Sequence, residues 1–253
     1  MIRYRLPSTL TEQELTMPRR KGRSIIVSLL YRLTRLARAA GLERAALRLF
    51  LFGSWIFWRL AYELSAALLG PEFENAARGV SAEILRRHIP AGGVVLDFGC
   101  GGGRLVRMAA PFSGRVVGVD RSAANIDAAR RAGVPANVEY ICGDGAAVLD
   151  AGRYDVVLLV HVLEHVDDGD ALLRTMGERA GRIIVEVPNF EADPLNSVRR
   201  AAGLPFYSDA DHVREYTPQI LRAQLERNGL RVLELEVRGV AIVAAAASPR
   251  SGA

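Results

Sequence analysis

The chain has 253 residues, half of them hydrophobic, and this suits one sizeable core with an appended segment. Its two cysteines, Cys100 and Cys142, exclude a disulfide framework and favour a reducing cytoplasm. Lys21 is the only lysine, which excludes a phosphate-binding loop of the Walker type. The net charge of +5 is uneven, because residues 1–70 hold 12 of the 33 basic residues but only 4 of the 28 acidic ones.

The amino-terminal part divides into two predicted segments. Residues 1–23 contain two prolines and little periodicity, which predicts a flexible arm. Residues 24–70 are predicted to form a helical extension. Between Ser24 and Ala40 a stripe of arginines at helical spacing lies on the side of the helix opposite the apolar residues, which predicts a basic amphipathic helix. The stripe consists of Arg32, Arg35 and Arg38.

Leu49–Trp58 is the most apolar run of the chain, with ten residues between two arginines. This is about half the length that a bilayer crossing requires, so a transmembrane helix is not expected. Three interpretations stay open: a buried lid, a homodimer surface, and peripheral contact of residues 24–60 with the inner face of a membrane. Nucleic acid is a disfavoured partner, because no known binding module is present.

From residue 71 to residue 248, short apolar runs alternate with helical segments. A helix is predicted near 74–89, and strands begin near residues 94, 115, 138, 154 and 182. Two further strands flank the Arg238-Gly239 break, and Thr217-Pro218 starts a helix that stops at Asn228-Gly229. The pattern predicts a doubly wound, Rossmann-like α/β domain with a seven-stranded sheet and an antiparallel last strand. Residues 249–253 are predicted to be a disordered tail.

A glycine-rich turn follows the first strand and reads Asp97-Phe-Gly99-Cys-Gly101-Gly-Gly103. It does not fit the dinucleotide fingerprint, since the third glycine of that pattern would fall on Arg104. The turn resembles motif I of the class I S-adenosylmethionine (SAM) methyltransferases. In that family the glycine loop meets the amino-acid part of SAM.

The following strands end in carboxylates at spacings that suit the same family. Asp120 lies 23 residues after Asp97, where an acid that binds ribose hydroxyls is expected. Asp144 follows the third strand, at the family's usual position for contact with the adenine amino group. The resemblance therefore implies a SAM site formed by Asp97, Gly99, Cys100, Gly101, Gly103, Asp120, Arg121, Asp144, Gly145 and Val160.

Three of the four histidines cluster around the fourth strand and a later segment. His161, Glu164 and His165 follow the strand at a spacing that one helical turn would direct to a single point, and His212 precedes the capped helix. Metal ligation and general-base catalysis are both open to such a set. The same spacing occurs in inverted zinc proteases, but the end of a strand in this sheet argues against hydrolase chemistry.

Over roughly residues 90–230 the arrangement resembles the metal-dependent small-RNA 2′-O-methyltransferases and, more loosely, the ubiquinone-pathway O-methyltransferases. The resemblance implies a metal held by His161, Glu164, His165 and His212, with His161 in place of a glutamate. Three imidazoles and one carboxylate favour Mn²⁺, Fe²⁺, Co²⁺ or Zn²⁺ over Mg²⁺. Without metal, His165 or His212 would act as the base.

The sequence thus predicts a cytoplasmic SAM-dependent O-methyltransferase. The expected acceptor is a small polar molecule with a vicinal diol, a sugar or glycan intermediate before a catechol. Two alternatives remain, a SAM-binding scaffold or regulator without turnover and an RNA 2′-O-methyltransferase.

Overall fold

The computed structural model describes residues 25–70, 73, 79–206, 209 and 211–249. The predicted arm at residues 1–23 and the end of the predicted tail lie outside the described residues. The chain divides into two compact units, one formed by Met1–Ala77 with Asp193–Phe206 and one by Arg78–Ala192 with Tyr207–Ala253. Asp193–Phe206 thus groups with the amino-terminal helices, which the sequence did not indicate, and the domain boundary at residues 70 and 71 stays a prediction.

The smaller unit contains α1 (Ile25–Ala39), α2 (Glu43–Leu69) and α8 (Leu195–Ala201). The buried guanidinium of Arg199 joins α8 to α2: it donates to Asp193 and Asn196 and, at 3.0 Å, to Oγ of Ser54. None of the described helices combines the length and the apolar character that a bilayer crossing needs.

The larger unit is built on one seven-stranded sheet. Its strands are β1 (Val94–Phe98), β2 (Arg115–Asp120), β3 (Val138–Cys142), β4 (Tyr154–Val160), β5 (Ala180–Pro188), β6 (Arg231–Arg238) and β7 (Ala241–Ala247). They lie in the order β3-β2-β1-β4-β5-β7-β6, and β1 to β5 pair in parallel. β7 is antiparallel to both of its neighbours. The predicted seven-stranded sheet with an antiparallel last strand is confirmed.

The helices of this unit follow the strands in the alternation that the sequence predicts. They are α3 (Ala82–His88), α4 (Arg104–Ala109), α5 (Ala123–Arg131), α6 (Gly145–Ala151), α7 (Gly169–Arg179) and α9 (Pro218–Arg227). α9 begins as predicted, because Oγ1 of Thr217 accepts a hydrogen bond from the Ile220 amide and Pro218 occupies its first turn. Residues 74–78 of the predicted helix at 74–89 lie outside the described residues; within the described part, α3 is capped by Ser81 and ends at His88.

Both faces of the sheet are covered, which is why its strands are apolar on both sides. Val95 packs into the core on one face, and its neighbour Leu96 packs into the core on the other. Neither side chain has any exposed surface. This double burial fixes the strand register and brings the carboxyl ends of the parallel strands to one edge.

A polar network joins α9 to α7. The Asp170 carboxylate accepts two hydrogen bonds from Arg227, one from the buried Gln224 and one from Asn228. Gln224 in turn accepts at 2.8 Å from the hydroxyl of buried Tyr216. The Arg227 guanidinium, helped by the Gln224 and Asn228 amides and opposed by burial, holds the pKa of Asp170 well below its usual range.

We expect Asp170→Asn to lower the free energy of unfolding at neutral pH by about 1–3 kcal/mol, because a buried amide loses its charged partner. A carboxyl whose pKa is lowered by folding stabilises the fold fully above its unfolded pKa of about 3.9. This stabilisation is lost progressively as the pH falls from there toward the lower pKa of the folded state. The variant should therefore lose less stability than the parent between about pH 4 and pH 2. Urea unfolding at several pH values measures both effects, with exposed Asp127→Asn as the control. Parallel pH profiles for parent and Asp170→Asn would contradict the assignment.

Candidate active site

The loop after β1 carries the three glycines that the motif predicts, and each has a left-handed backbone. The φ angles of Gly99, Gly101 and Gly103 are 79°, 52° and 73°. Residues other than glycine rarely adopt this backbone conformation, so the loop requires glycine at these three positions. A Cβ atom at Gly101 would meet nothing within 4 Å. The turn therefore presents bare main chain beside open space.

Asp120 holds this loop in place from the end of β2. Its Oδ2 accepts a hydrogen bond of 2.8 Å from the Gly101 amide, and its Oδ1 accepts from the amide of Ser122 and the side chain of Asn125. The sequence did not reveal this supporting role. Contact with a ribose stays a prediction.

The other predicted cofactor residues lie at the ends of the same strands. Asp97 is buried in β1, where it pairs in register with Gly118 of β2. Asp144 caps α6 and accepts at 3.0 Å from Arg121, and this hydrogen bond, with that from the Ala146 amide, lowers the pKa of Asp144. Cys100 and Val160 are buried, and Gly145 packs so closely on the Phe98 ring that a Cβ atom would lie 2.7 Å from it.

The histidine cluster forms on a short 3-10 turn after β4. Leu163–His165 makes this turn, and the Val213 and Arg214 amides donate to the carbonyl oxygen of Glu164. That pairing brings His212 to the turn, where its ring lies 4.6 Å from the His165 ring, edge to face. Glu164, His165 and His212 each offer a ligand atom, and these atoms all lie within 4.8 Å of one another.

Each imidazole of this cluster is oriented by a carboxylate. Nδ1 of His165 lies 3.2 Å from Asp211, and Nδ1 of His212 lies 2.9 Å from Glu215. Burial works against the charged form of His212, but the hydrogen bond and charge of Glu215, with the charges of Glu164 and Asp209, raise the pKa of His212 overall. Histidines that ligate metal are typically held through their other nitrogen in this way.

His161 lies apart from this ligand set, contrary to the predicted convergence of all four residues. Its φ of 54° is the only left-handed value outside glycine among the described residues, so it precedes the 3-10 turn instead of sharing it. Its Nδ1 lies 3.1 Å from Oε1 of Glu164, and its Nε2 lies 3.0 Å from Oε1 of Glu186. Both ring nitrogens therefore face carboxylates, and the ligand atoms that lie together in the described part of the chain are those of Glu164, His165 and His212. The role of His161 as a ligand stays a prediction.

Glu186 is a site residue that the sequence reasoning missed. It lies in β5, opposite Val160 in register, and is fully buried. Burial opposes ionisation, yet the hydrogen bond and charge of His161 and the amides of Val80 and Gly79 lower the pKa of Glu186 overall. The Val80 amide donates to Oε2 at 2.6 Å. A charged residue inside an apolar strand needs hydrogen-bonding and charged partners. The presence of Glu186 within the apolar run of β5 was therefore the signal available in the sequence.

Curated relatives share part of this chain. A ubiquinone biosynthesis O-methyltransferase of Sinorhizobium fredii is 33% identical over 156 residues, which cover 55% of this chain and 60% of that protein. A protein of the same name from Brucella ovis is 41% identical over 130 residues, 49% of each chain. The chain thus matches between about half and three fifths of the length of these relatives.

Solved structures share the fold at low sequence identity. A SAM-dependent methyltransferase of Mesorhizobium loti is 20% identical with a TM-score of 0.50, over 66% of this chain and 98% of that one. Magnesium protoporphyrin IX methyltransferase of Synechocystis, solved with bound SAH, has the same identity and TM-score over 65% of this chain and 77% of that one.

A family model gives the assignment. The model of the methyltransferase domain matches residues 73–235, more than half of the chain. The same span contains the glycine loop, the carboxylates at the strand ends and the histidine cluster. The chain is a member of this methyltransferase family, and its fold is that of the SAM-dependent methyltransferases.

Proposed function

We propose that the chain transfers the methyl group of SAM to a hydroxyl oxygen of an acceptor with two neighbouring hydroxyls. The observation that carries the proposal is the cluster of Glu164, His165 and His212 after β4. It lies at the carboxyl end of the sheet, where open α/β folds bind their ligands. Because the sulfonium of SAM is already a strong methyl donor, the protein has to align the acceptor oxygen and promote loss of its proton.

The glycine loop fits the amino-acid part of SAM. Gly101 and Gly102 have no side chains, and an added Cβ atom at either position would enter open space. Asp120 and Asp144, at the ends of β2 and β3, offer carboxylate oxygens for ribose hydroxyls and the adenine amino group. The two carboxylates thus supply the polar contacts that a nucleoside requires.

The histidine cluster fits a divalent cation. Oε2 of Glu164 is buried and has no hydrogen-bond partner in the described part of the chain, a cost that a bound cation would remove. With both imidazoles oriented through Nδ1, Glu164, His165 and His212 would be the ligands. This set of two imidazoles and one carboxylate favours Mn²⁺, Fe²⁺, Co²⁺ or Zn²⁺ over Mg²⁺. When bound, such an ion lowers the pKa of a coordinated hydroxyl.

The names of the curated relatives bear on the acceptor. Their place in ubiquinone biosynthesis favours a catechol over the sugar or glycan expected from the sequence. Both acceptors present neighbouring hydroxyls and would use the same cluster. Asp211 and Glu215 would keep the two imidazoles aligned while the acceptor binds.

The function is tested by transfer of a radiolabelled methyl group from SAM to pooled catechols, sugars and RNA. Label in the catechol or sugar pool supports the proposal, and label in RNA alone favours a 2′-O-methyltransferase. A chain that binds SAM in calorimetry but labels no pool is a scaffold or regulator, and the proposal fails.

A separate prediction concerns the cofactor site. Asp120→Ala should weaken SAM binding by about 1–3 kcal/mol, because it removes a polar partner and also releases the Gly101 amide. Asp127→Ala on the exposed face of α5 is the matched control. Calorimetry that finds equal affinity in the Asp120 variant and the parent would remove Asp120 from the site.

A further inference from the structure

The helices α1 and α2 expose far more apolar surface than the rest of the described chain. Only Leu51 of α2 is buried, and the part of this helix around Ser54 packs on Arg199. Large apolar side chains cover much of the remaining surface of both helices. Those more than half exposed include Leu36, Leu49, Phe50, Phe57, Leu64 and Leu68. Contiguous exposed apolar surface on this scale marks an interaction site.

The charge of the same helices indicates which kind of partner binds this apolar surface. Residues 25–70 contain six arginines and two glutamates, a net charge of +4. Half of these arginines, Arg32, Arg35 and Arg38, lie within seven residues of α1. Arginine binds phosphate through paired N–H groups, and clustered basic residues next to apolar ones are typical of helices on anionic lipid.

Aromatic residues on α2 add a third indication. Trp58 is half exposed, and its ring lies 5.5 Å from that of Tyr62 one turn later. Trp and Tyr are enriched where a membrane meets water, because each combines an apolar ring with a polar group. Lipid phosphates would neutralise the arginines beside this apolar surface.

We propose that α1 and α2 form a surface that binds the headgroup region of an anionic bilayer. Since neither helix is able to cross a membrane, both lie along it, with their apolar side chains at the boundary between headgroups and acyl chains. The bilayer is thus a further partner of this methyltransferase, through residues outside the matched family domain.

Tryptophan fluorescence tests the proposal on the full chain. Trp55 and Trp58 are the only tryptophans, and both lie on α2, so the emission reports on this helix alone. Vesicles of phosphatidylcholine with phosphatidylglycerol should shift the emission to the blue and carry the protein into the pellet on sedimentation. Vesicles of phosphatidylcholine alone should bind much more weakly, and high salt should reduce binding to the anionic vesicles.

Matched variants distinguish vesicle binding by this surface from a general effect of the positive charge of the protein. Replacement of Arg32, Arg35 and Arg38 by Gln should weaken binding about a hundredfold, from about 1 kcal/mol for each arginine. Replacement of the exposed Arg131, Arg222 and Arg231 of the larger unit by Gln removes the same charge and should change vesicle binding little. Phe50→Ser with Phe57→Ser should reduce the blue shift.

Two results would overturn the proposal. One is equal weakening by both arginine triples, which would make the binding non-specific. The other is a dimer by light scattering whose tryptophan emission does not respond to anionic vesicles, which would make the surface a homodimer interface.

Discussion

Removal of divalent cations is expected to slow methyl transfer strongly while SAM affinity stays unchanged. The proposed ligands Glu164, His165 and His212 lie on the turn after β4 and the segment before α9, whereas the glycine loop follows β1 and Asp120 ends β2. Loss of hydroxyl activation should reduce the rate by about 10²- to 10⁴-fold, the usual range for assisted proton removal. Added Mn²⁺, Co²⁺ or Zn²⁺ should restore transfer better than Mg²⁺.

Variants of the cluster make this prediction sharper. Glu164→Gln should reproduce the effect of chelation, and Glu215→Gln should weaken metal binding by about 10- to 100-fold because His212 loses its orienting partner. The exposed Glu191→Gln is the control of equal charge. Elemental analysis, calorimetry with SAM and the transfer assay provide the readouts. Full activity after exhaustive chelation, with no bound metal detected, would leave the histidines as base or packing residues.

Loss of the His161 ring is expected to destabilise the fold strongly. The ring lies between Glu164 and Glu186, both fully buried, and removal of one partner from a buried ionic group costs about 3–5 kcal/mol. His161→Asn isolates this cost, because asparagine tolerates the left-handed backbone but is too short to reach both carboxylates. Urea unfolding at neutral pH measures the loss.

A double variant tests the cause of that loss. Glu186→Gln in the His161→Asn background removes the uncompensated charge while its amide oxygen still accepts from Val80. The double variant should recover about 1 kcal/mol or more relative to His161→Asn. If the free energy of unfolding of His161→Asn lies within about 0.5 kcal/mol of the parent's, the ring does not stabilise the buried glutamates.

The sheet was predictable because its signals are local. The parallel strands are largely apolar runs, the first three of which end in a carboxylate or are followed by glycine, and Thr217-Pro218 marks the start of α9 without reference to the rest of the chain. The start of α3 at Ala82 was missed, because the preceding Val80 amide is bound to Glu186, more than a hundred residues away. Such pairings leave no trace in local periodicity.

The same distinction applies to the site. The sequence placed Glu164, His165 and His212 together, and the structure brings their ligand atoms within reach of one ion. It placed His161 with them by assuming a helical turn, but the left-handed backbone at His161 turns the ring toward Glu186. A single φ angle is a tertiary outcome, and no spacing rule predicts it.

The contact between Gly99 and Val162 limits how this protein can be redesigned. A Cβ atom at Gly99 would lie 2.7 Å from Cγ2 of Val162, so the glycine loop and the chain between His161 and Glu164 touch without spare room. A side chain at Gly99 would have to displace Val162, and it would also strain the left-handed backbone there. Any redesign of the turn that carries Glu164 and His165 therefore has to keep glycine at position 99, because the two segments share this contact.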